Sequence, residues 1–217
     1  MKMKTRLVLV CLLISSFVTM SCAGDNAAYT SQYDILEKAL PPISVSDQVE
    51  VVEFFWYGCP HCYDIEGPLK QWLANRPKGV ELVRVPAVPY ETHPWADLAK
   101  VYYVAEQKQI LDKIHTPIFE ALHGPHKSST PLGKVLVQLF AKHGVNQRQF
   151  VSAFGSFDIL DKVNEAEKLA KAYGVKSVPV VFVNGKYRLT AANAGSAQNF
   201  VKVLDYLVNK ERDAQTE

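Results

Sequence analysis

Cysteine is scarce in this chain of 217 residues. There are four, and Cys11 and Cys22 fall within or at the edge of an apolar leader. Only Cys59 and Cys62 are left for the body of the protein. A disulfide framework needs several bridges spread along a chain, so a single local pair excludes one. A structural zinc site built on this spacing needs four ligands, and no second pair follows. His123-Gly124-Pro125-His126 is broken by residues that suit a turn, so no metal is expected, and the histidines at 93, 115, 123, 126 and 143 are assigned to surfaces or helix caps. An excess of charge of one sign is lacking too. Lys and Arg number 24 against 22 Asp and Glu, a net +2 too small to imply nucleic acid or an anionic membrane surface as a partner. Internal repeats and low-complexity tracts are absent. What is present in quantity is apolar side chain, 48% against 21% charged, enough for a buried core.

The N-terminus has a character of its own. Lys2, Lys4 and Arg6 precede an apolar run from Leu7 to Val18 that is broken only by Ser15 and Ser16. Ser21-Cys22-Ala23 then supplies small residues for cleavage after Ala23, which predicts a signal peptide over residues 1–23. The run is short for a transmembrane helix, and a retained signal anchor is the plainer alternative. A second route is cleavage before Cys22 with lipid on its sulfur, although Thr19 stands where such sites usually carry leucine. Cleavage by either route places the mature chain outside the cytoplasm, where disulfides persist.

Residues 24–48 are mixed and polar, with Pro41-Pro42 stopping any early helix. Val49 to Tyr57 is rich in β-branched and aromatic residues and predicts a strand ended by Gly58. Pro60 suits a first helical turn, where its missing N–H would be unpaired anyway, and the helix is predicted to reach about Asn75 with a kink at Gly67-Pro68. Glu81 to Val88 predicts a parallel strand that completes a βαβ unit. From Pro94 to about Gly174 the period is helical, with segments at Trp95 to Gln107, Ile110 to Leu122 and Asp158 to Tyr173. Thr130-Pro131 reads as an N-cap and first helical position, and Asn146 with Gln149 as a capping box. A hairpin is predicted from Val180 to Val183 through Asn184-Gly185 into Tyr187 to Leu189. A helix from about Ala197 to Lys210 and a charged tail close the chain. The order describes an α/β fold in which a helical block, 94–174, is inserted between the parts 24–93 and 175–217 of one sheet.

Four features meet at Cys59-Pro60-His61-Cys62. The pair lies where a strand feeds a helix, so Cys59 faces unpaired N–H groups at the positive helix end, which favours its thiolate. His61 adds a donor and, when protonated, a positive charge beside the sulfur. Cys62 falls one turn inward, which shields it and suits a resolving thiol. Ser177-Val178-Pro179 opens a later strand, and Pro179 is a candidate cis proline that would set exposed backbone beside the cysteines.

At these residues a resemblance emerges. Glu53-Phe54-Phe55-Trp56-Tyr57-Gly58-Cys59-Pro60-His61-Cys62-Tyr63 resembles the active-site strand and helix start of the DsbA family. The similarity extends through Val178-Pro179 and Val183-Asn184-Gly185-Lys186-Tyr187, and covers the chain from roughly residue 45 to the end. It implies a thioredoxin-like fold with an inserted α-helical domain. It implies a protein disulfide oxidoreductase that donates a redox-active Cys59–Cys62 disulfide to unfolded exported proteins with free thiols. A membrane protein of the DsbB type, linked to quinone, would reoxidise the pair. The expected compartment is the periplasm, the expected state a monomer, and no cofactor is expected. Exposed apolar surface around Trp56, Tyr57, Pro60 and Pro179 is expected to help hold substrates.

The resemblance also bears on two charged residues. In the family an acid at the place of Glu53 is buried beneath the cysteines and tunes proton traffic; the plainer reading puts Glu53 on the exposed face of an edge strand. Phe54-Phe55 favour a central strand. Arg84 matches a position where the family can carry lysine, so it either pairs with Glu53 or is a solvated strand residue. The aromatics Trp95, Tyr102, Tyr103 and Phe119 sit at helical spacing and are assigned to core. Arg188-Leu189-Thr190 is assigned to structure. A disulfide isomerase or reductase on the same fold, and a thioredoxin-fold chaperone that makes no use of its thiols, are the competing functions. The first is disfavoured because little chain precedes the first strand to supply a dimerisation module.

Overall fold

The computed structural model of the protein describes residues 29–125 and 130–216. The leader with Cys11 and Cys22, its cleavage sites, and His126 lie outside the described residues. The sheet is organised by β2 (Val49–Phe55), whose seven residues are all buried. On one side it pairs in parallel with β3 (Val80–Pro86), and on the other antiparallel with β4 (Val180–Val183). Strand β5 (Tyr187–Thr190) continues antiparallel from β4, and the two-residue β1 (Asp34–Ile35) closes that edge, giving the order β1-β5-β4-β2-β3.

Both faces of β2 are covered, which is why it reads as an unbroken apolar run rather than an alternating one. Val49 and Val51 point toward α1 (Pro60–Asn75) and the C-terminal helix α8 (Ala197–Thr216), packing with Ile65, Leu69, Phe200 and Leu204. Val52 and Phe54 point the other way, into the cluster that holds Val163 and Ala166. Between β3 and β4 the chain forms α2 (Trp95–Gln107), α3 (Leu111–His123), α4 (Leu132–Lys142), α5 (Gln147–Phe154) and α6 (Phe157–Ala172). A single turn, α7 (Ala191–Ala194), follows β5.

Local chemistry sets most element boundaries. Asn146 accepts from the Gln149 N–H at 3.0 Å while the Gln149 side chain accepts from the Asn146 N–H at 2.9 Å, a complete capping box. Asn184 and Gly185 both have positive φ, 47° and 61°, as a hairpin turn twisted to match its strands requires. A Cβ on Gly185 would lie 2.3 Å from the Leu40 carbonyl oxygen, so glycine is needed there on two counts.

Several boundaries differ from the sequence reading, and one short strand is additional to it. The N-cap of α4 is Pro131, not Thr130, because the extended ψ of 134° at Pro131 leaves it outside the helix. Strand β2 ends at Phe55, two residues early, because the Cys59 N–H turns back to the Trp56 carbonyl at 2.9 Å. Helix α8 continues to Thr216, through residues read as a charged tail. Its Glu211 is buried and accepts from Asn184 Nδ2 at 2.8 Å and Lys186 Nζ at 2.7 Å, which ties the last turns to the hairpin. The edge strand β1 has no periodic signal in so short a segment; Asp34 is held by Arg188 at 3.0 Å.

Candidate active site

Cys59 is the N-cap of α1 and Pro60 its first residue, so the sulfurs sit at the end of the helix where N–H groups lack partners. Both cysteines are free thiols, Cys59 at 8% exposure and Cys62 at 1%. Their acidities are driven apart. Cys59 is lowered from 9.0 to about 6, first by a hydrogen bond from the Cys62 thiol, against the opposing effect of burial, and then by the Cys62 and His61 backbone N–H groups and the His61 charge. Cys62 is pushed far up, chiefly by burial and then by its bond to Cys59. The His61 ring itself is exposed, with Nδ1 3.5 Å from Asp64 Oδ2, and its charge is a smaller influence on Cys59 than the neighbouring thiol.

Opposite the pair stands the loop before β4. Val178-Pro179 is a cis peptide, and the Val178 carbonyl oxygen lies 3.5 Å from Cys59 Sγ. A cleft of about 380 Å³ runs beside it, lined by His61, Asp64, Val178, Pro179, Thr190 and Ser196 among others. The apolar surface expected around the thiols is smaller than the sequence implied. Tyr57 and Pro179 are buried, leaving Pro60 exposed and Trp56 half-buried. Trp56 stacks on Trp95 with ring centroids 4.2 Å apart, and a Cβ on Gly58 would lie 2.3 Å from the Trp56 ring. Glycine at 58 is what allows that stack directly before the cysteines. Tyr102, Tyr103 and Phe119 are core residues.

Beneath the thiols the β2–β3 register places Glu53 opposite Arg84. Glu53 is 3% exposed and accepts from Arg84 Nε at 2.8 Å. Arg84 Nη2 also reaches Glu66 Oε2 at 3.3 Å, and Thr116 donates to Glu66 Oε1 at 2.9 Å. Burial works to raise the Glu66 carboxyl, but the contacts with His115 and Arg84 outweigh it and hold the group below its ordinary value. His115, assigned from sequence to a surface or a cap, is instead 3% exposed, with its Nδ1 2.7 Å from the Tyr57 hydroxyl. A signal for both residues exists in the helical period. Glu66 shares a face with Cys62 and Leu69, and His115 with Leu111, Ile118 and Phe119, so each is a polar residue on an apolar stripe. Of the other histidines, His93 accepts from the Trp95 N–H at 3.2 Å near the start of α2, and His123 donates from Nε2 to the Tyr57 carbonyl at 2.8 Å. Among the described residues no group of three or more His, Cys, Asp or Glu is arranged to hold a metal ion.

Two neighbouring thiols of opposed acidity, at a helix start on this sheet, are the equipment of a thioredoxin-fold thiol:disulfide oxidoreductase, and this chain is one. Residues 84–205 match the family model of the DSBA-like thioredoxin domain. The chain is 36% identical over 214 residues to the thiol:disulfide interchange protein DsbA of Pseudomonas aeruginosa, covering 98% of this chain and 99% of that one. It is 39% identical over 175 residues to the Azotobacter vinelandii protein of the same name, covering 80% of each. Among solved structures, the crystal structure of Pseudomonas aeruginosa DsbA superposes with a TM-score of 0.74 at 35% identity, over 86% of this chain and 95% of that one. DsbA from Xylella fastidiosa gives 0.73 at 30% identity, over 83% and 95%. The chain belongs to the DsbA family.

Proposed function

We propose that this protein donates its Cys59–Cys62 disulfide to thiols of exported proteins as they fold. The observation that carries the reading is the placement of the two thiols, Cys59 at the start of α1 and Cys62 buried one turn inside, which drives their acidities apart, Cys59 down to about 6 and Cys62 far up. A substrate thiolate attacks Cys59 Sγ of the oxidised protein. The Cys59–Cys62 bond breaks, and Cys62 leaves with the electron pair and takes a proton, which its high affinity for protons favours. A second substrate thiolate then attacks the substrate sulfur of the mixed disulfide and expels Cys59. That step is fast because a low-pKa thiolate is a good leaving group. The substrate loses two electrons and the protein gains them. A stable Cys59 thiolate favours the reduced form, so the disulfide is a strong oxidant, the behaviour for which DsbA is the standard example.

In this reading Pro60 and His61 tune the pair from the helix start. The Val178-Pro179 loop and the adjacent cleft receive the substrate chain, a role supported by the contact between Cys59 Sγ and the Val178 carbonyl. Glu53 and Arg84 tune the thiols from beneath. A DsbB-type membrane protein returns the electrons to quinone. The compartment is the periplasm, reached by cleavage of residues 1–23 or by lipid attachment at Cys22. Among the described residues no helix is long and apolar enough to cross a membrane. The division into 24–93, 94–174 and 175–217 belongs to the same reading and is supported by the five helices between β3 and β4.

The test is the reduction potential of the Cys59–Cys62 couple, measured by equilibration with glutathione. The expected value lies well above the roughly −270 mV of thioredoxin. A value near thioredoxin's would sink the disulfide-donor reading in favour of a reductant.

A further inference from the structure

The mechanism above leaves two buried polar groups beneath the cysteines, Glu66 and His115, without a task. His115 sits on the inner face of α3, and its two ring nitrogens meet two different elements. Nδ1 is 2.7 Å from the Tyr57 hydroxyl. Nε2 faces Glu66 Oε2 at 3.5 Å, and this buried nitrogen makes no hydrogen bond. Tyr57 lies two residues before Cys59, and Glu66 one helical turn after Cys62, so His115 touches the segments on both sides of the pair. Burial holds Tyr57 as a phenol, its pKa raised well above 10.0. With that O–H donating to Nδ1, the ring proton stands on Nε2, aimed at Glu66. A second residue of α3, His123, holds Tyr57 by its carbonyl at 2.8 Å.

The charged and titratable groups around His115 come from every neighbouring element. Tyr57 follows β2, Glu66 is on α1, and Tyr102 on α2 has its ring centroid 6.0 Å away. Arg84 on β3 and Glu53 on β2 stand one contact further, and Lys70 approaches Thr116 at 3.4 Å from outside. Two buried carboxylates thus share one guanidinium, and a guanidinium does not give up its proton. The second carboxylate stays charged in this enclosed place only while other donors face it. Thr116 is one such donor, bonded at 2.9 Å, and His115 Nε2 is the other group that faces the carboxylate, at 3.5 Å.

We propose that His115 is a positioning residue for the thiol–disulfide reaction, holding Glu66 in its ionised form and thereby setting the charge beneath Cys59 and Cys62 and the pH dependence of the couple. The inference rests on the proposed use of that pair. With His115 in place the cluster keeps two carboxylate charges against one guanidinium, which opposes a thiolate above it. Without the donor, Glu66 takes up a proton on burial and that opposition falls.

The test is the ultraviolet titration of the Cys59 thiolate, with a redox equilibrium against glutathione at each pH. His115→Asn can keep the contact to Tyr57 but does not reach Glu66; His115→Gln reaches Glu66. Asn is expected to move the thiolate midpoint down by about half a pH unit, and Gln to bring it back toward wild type. In a Glu66→Gln background, where the charge is already gone, His115→Asn is expected to move nothing further. A folded His115→Asn protein whose titration superimposes on wild type overturns the proposal. So does a shift of equal size in both backgrounds, because His115 would then not act through Glu66. If His115→Asn does not fold, Tyr57→Phe, which frees the same ring, is read in both backgrounds by the same criteria. The titration needs no substrate. If the variants show this pattern while wild-type protein fails to oxidise reduced peptides, the disulfide-donor reading sinks and the role of His115 stands.

Discussion

Strand β2 carries two buried glutamates, Glu50 and Glu53, each 3% exposed, and they are satisfied in different ways. Three positions apart in a strand, they point to opposite faces. The Glu50 carboxylate accepts backbone N–H bonds from Ile43 at 3.0 Å and Ser44 at 2.6 Å. Its own backbone exchanges bonds with Asn184, both at 2.8 Å. Every partner there is main chain or amide, fixed in charge, so Glu50 is a clamp that fastens the segment before β2 to the hairpin. Glu53 meets Arg84, and through it Glu66, Thr116 and His115. Those partners are side chains, and Glu66 and His115 among them are titratable residue types. The same residue type, equally buried on one strand, meets main-chain and amide groups at one end and a cluster of charged side chains at the other. The partners make the difference, not the degree of burial.

Breaking the adjustable end should cost the most. Arg84→Met leaves two buried carboxylates without their cation and is expected to destabilise the fold by about 4 kcal/mol, since removing one member of a buried ion group strands the rest. Urea unfolding checks this, and a loss no larger than that of an exposed ion pair would mean that water reaches the cluster. Next comes the thiol above it. Cys59 ionises at about 6 in the folded reduced protein against an ordinary 9.0, so its contribution is complete above the higher value and lost as pH falls through the lower. Between about pH 8 and about pH 5, reduced protein should lose about 2.5 kcal/mol relative to Cys59→Ser, at 1.36 kcal/mol per unit. A difference flat across that range would contradict the lowered acidity.

The sharpest contrast comes from the same conservative change at both ends of β2. Glu50→Gln should cost about 2 kcal/mol, because the amide no longer serves the N–H groups as a full acceptor. It should leave the thiol titration untouched. Glu53→Gln should instead alter the pH dependence of the redox equilibrium. If both variants moved the titration, or neither did, the distinction between clamp and adjustment would fail.

Much of this is legible along the chain because it is local. The Cys59-Pro60-His61-Cys62 turn follows a β-branched run, Pro60 opens a helix without losing a bond, and Asn146 with Gln149 caps another within four residues. Asn184-Gly185 turns the hairpin for reasons internal to the dipeptide. Glu66 and His115 were harder to read. They lie 49 positions apart, and a polar residue on an apolar helical stripe has the same sequence signature whether it points at solvent or at a partner. The charged residues after Lys210 misled for a related reason, since the partners that hold Glu211 in place are on the hairpin, far away in the chain.

By itself, then, the sequence determined the order of elements, the cysteine pair at a helix start and the asymmetry that a helix end confers on it. These follow from steric preferences and hydrogen bonds between near neighbours. Only the tertiary structure decided what lies beneath the pair. Register brought Arg84 to Glu53, and helix packing brought His115 to Tyr57 and Glu66. The energy of a buried charge depends on which groups surround it in space, and no local pattern in the chain contains that information.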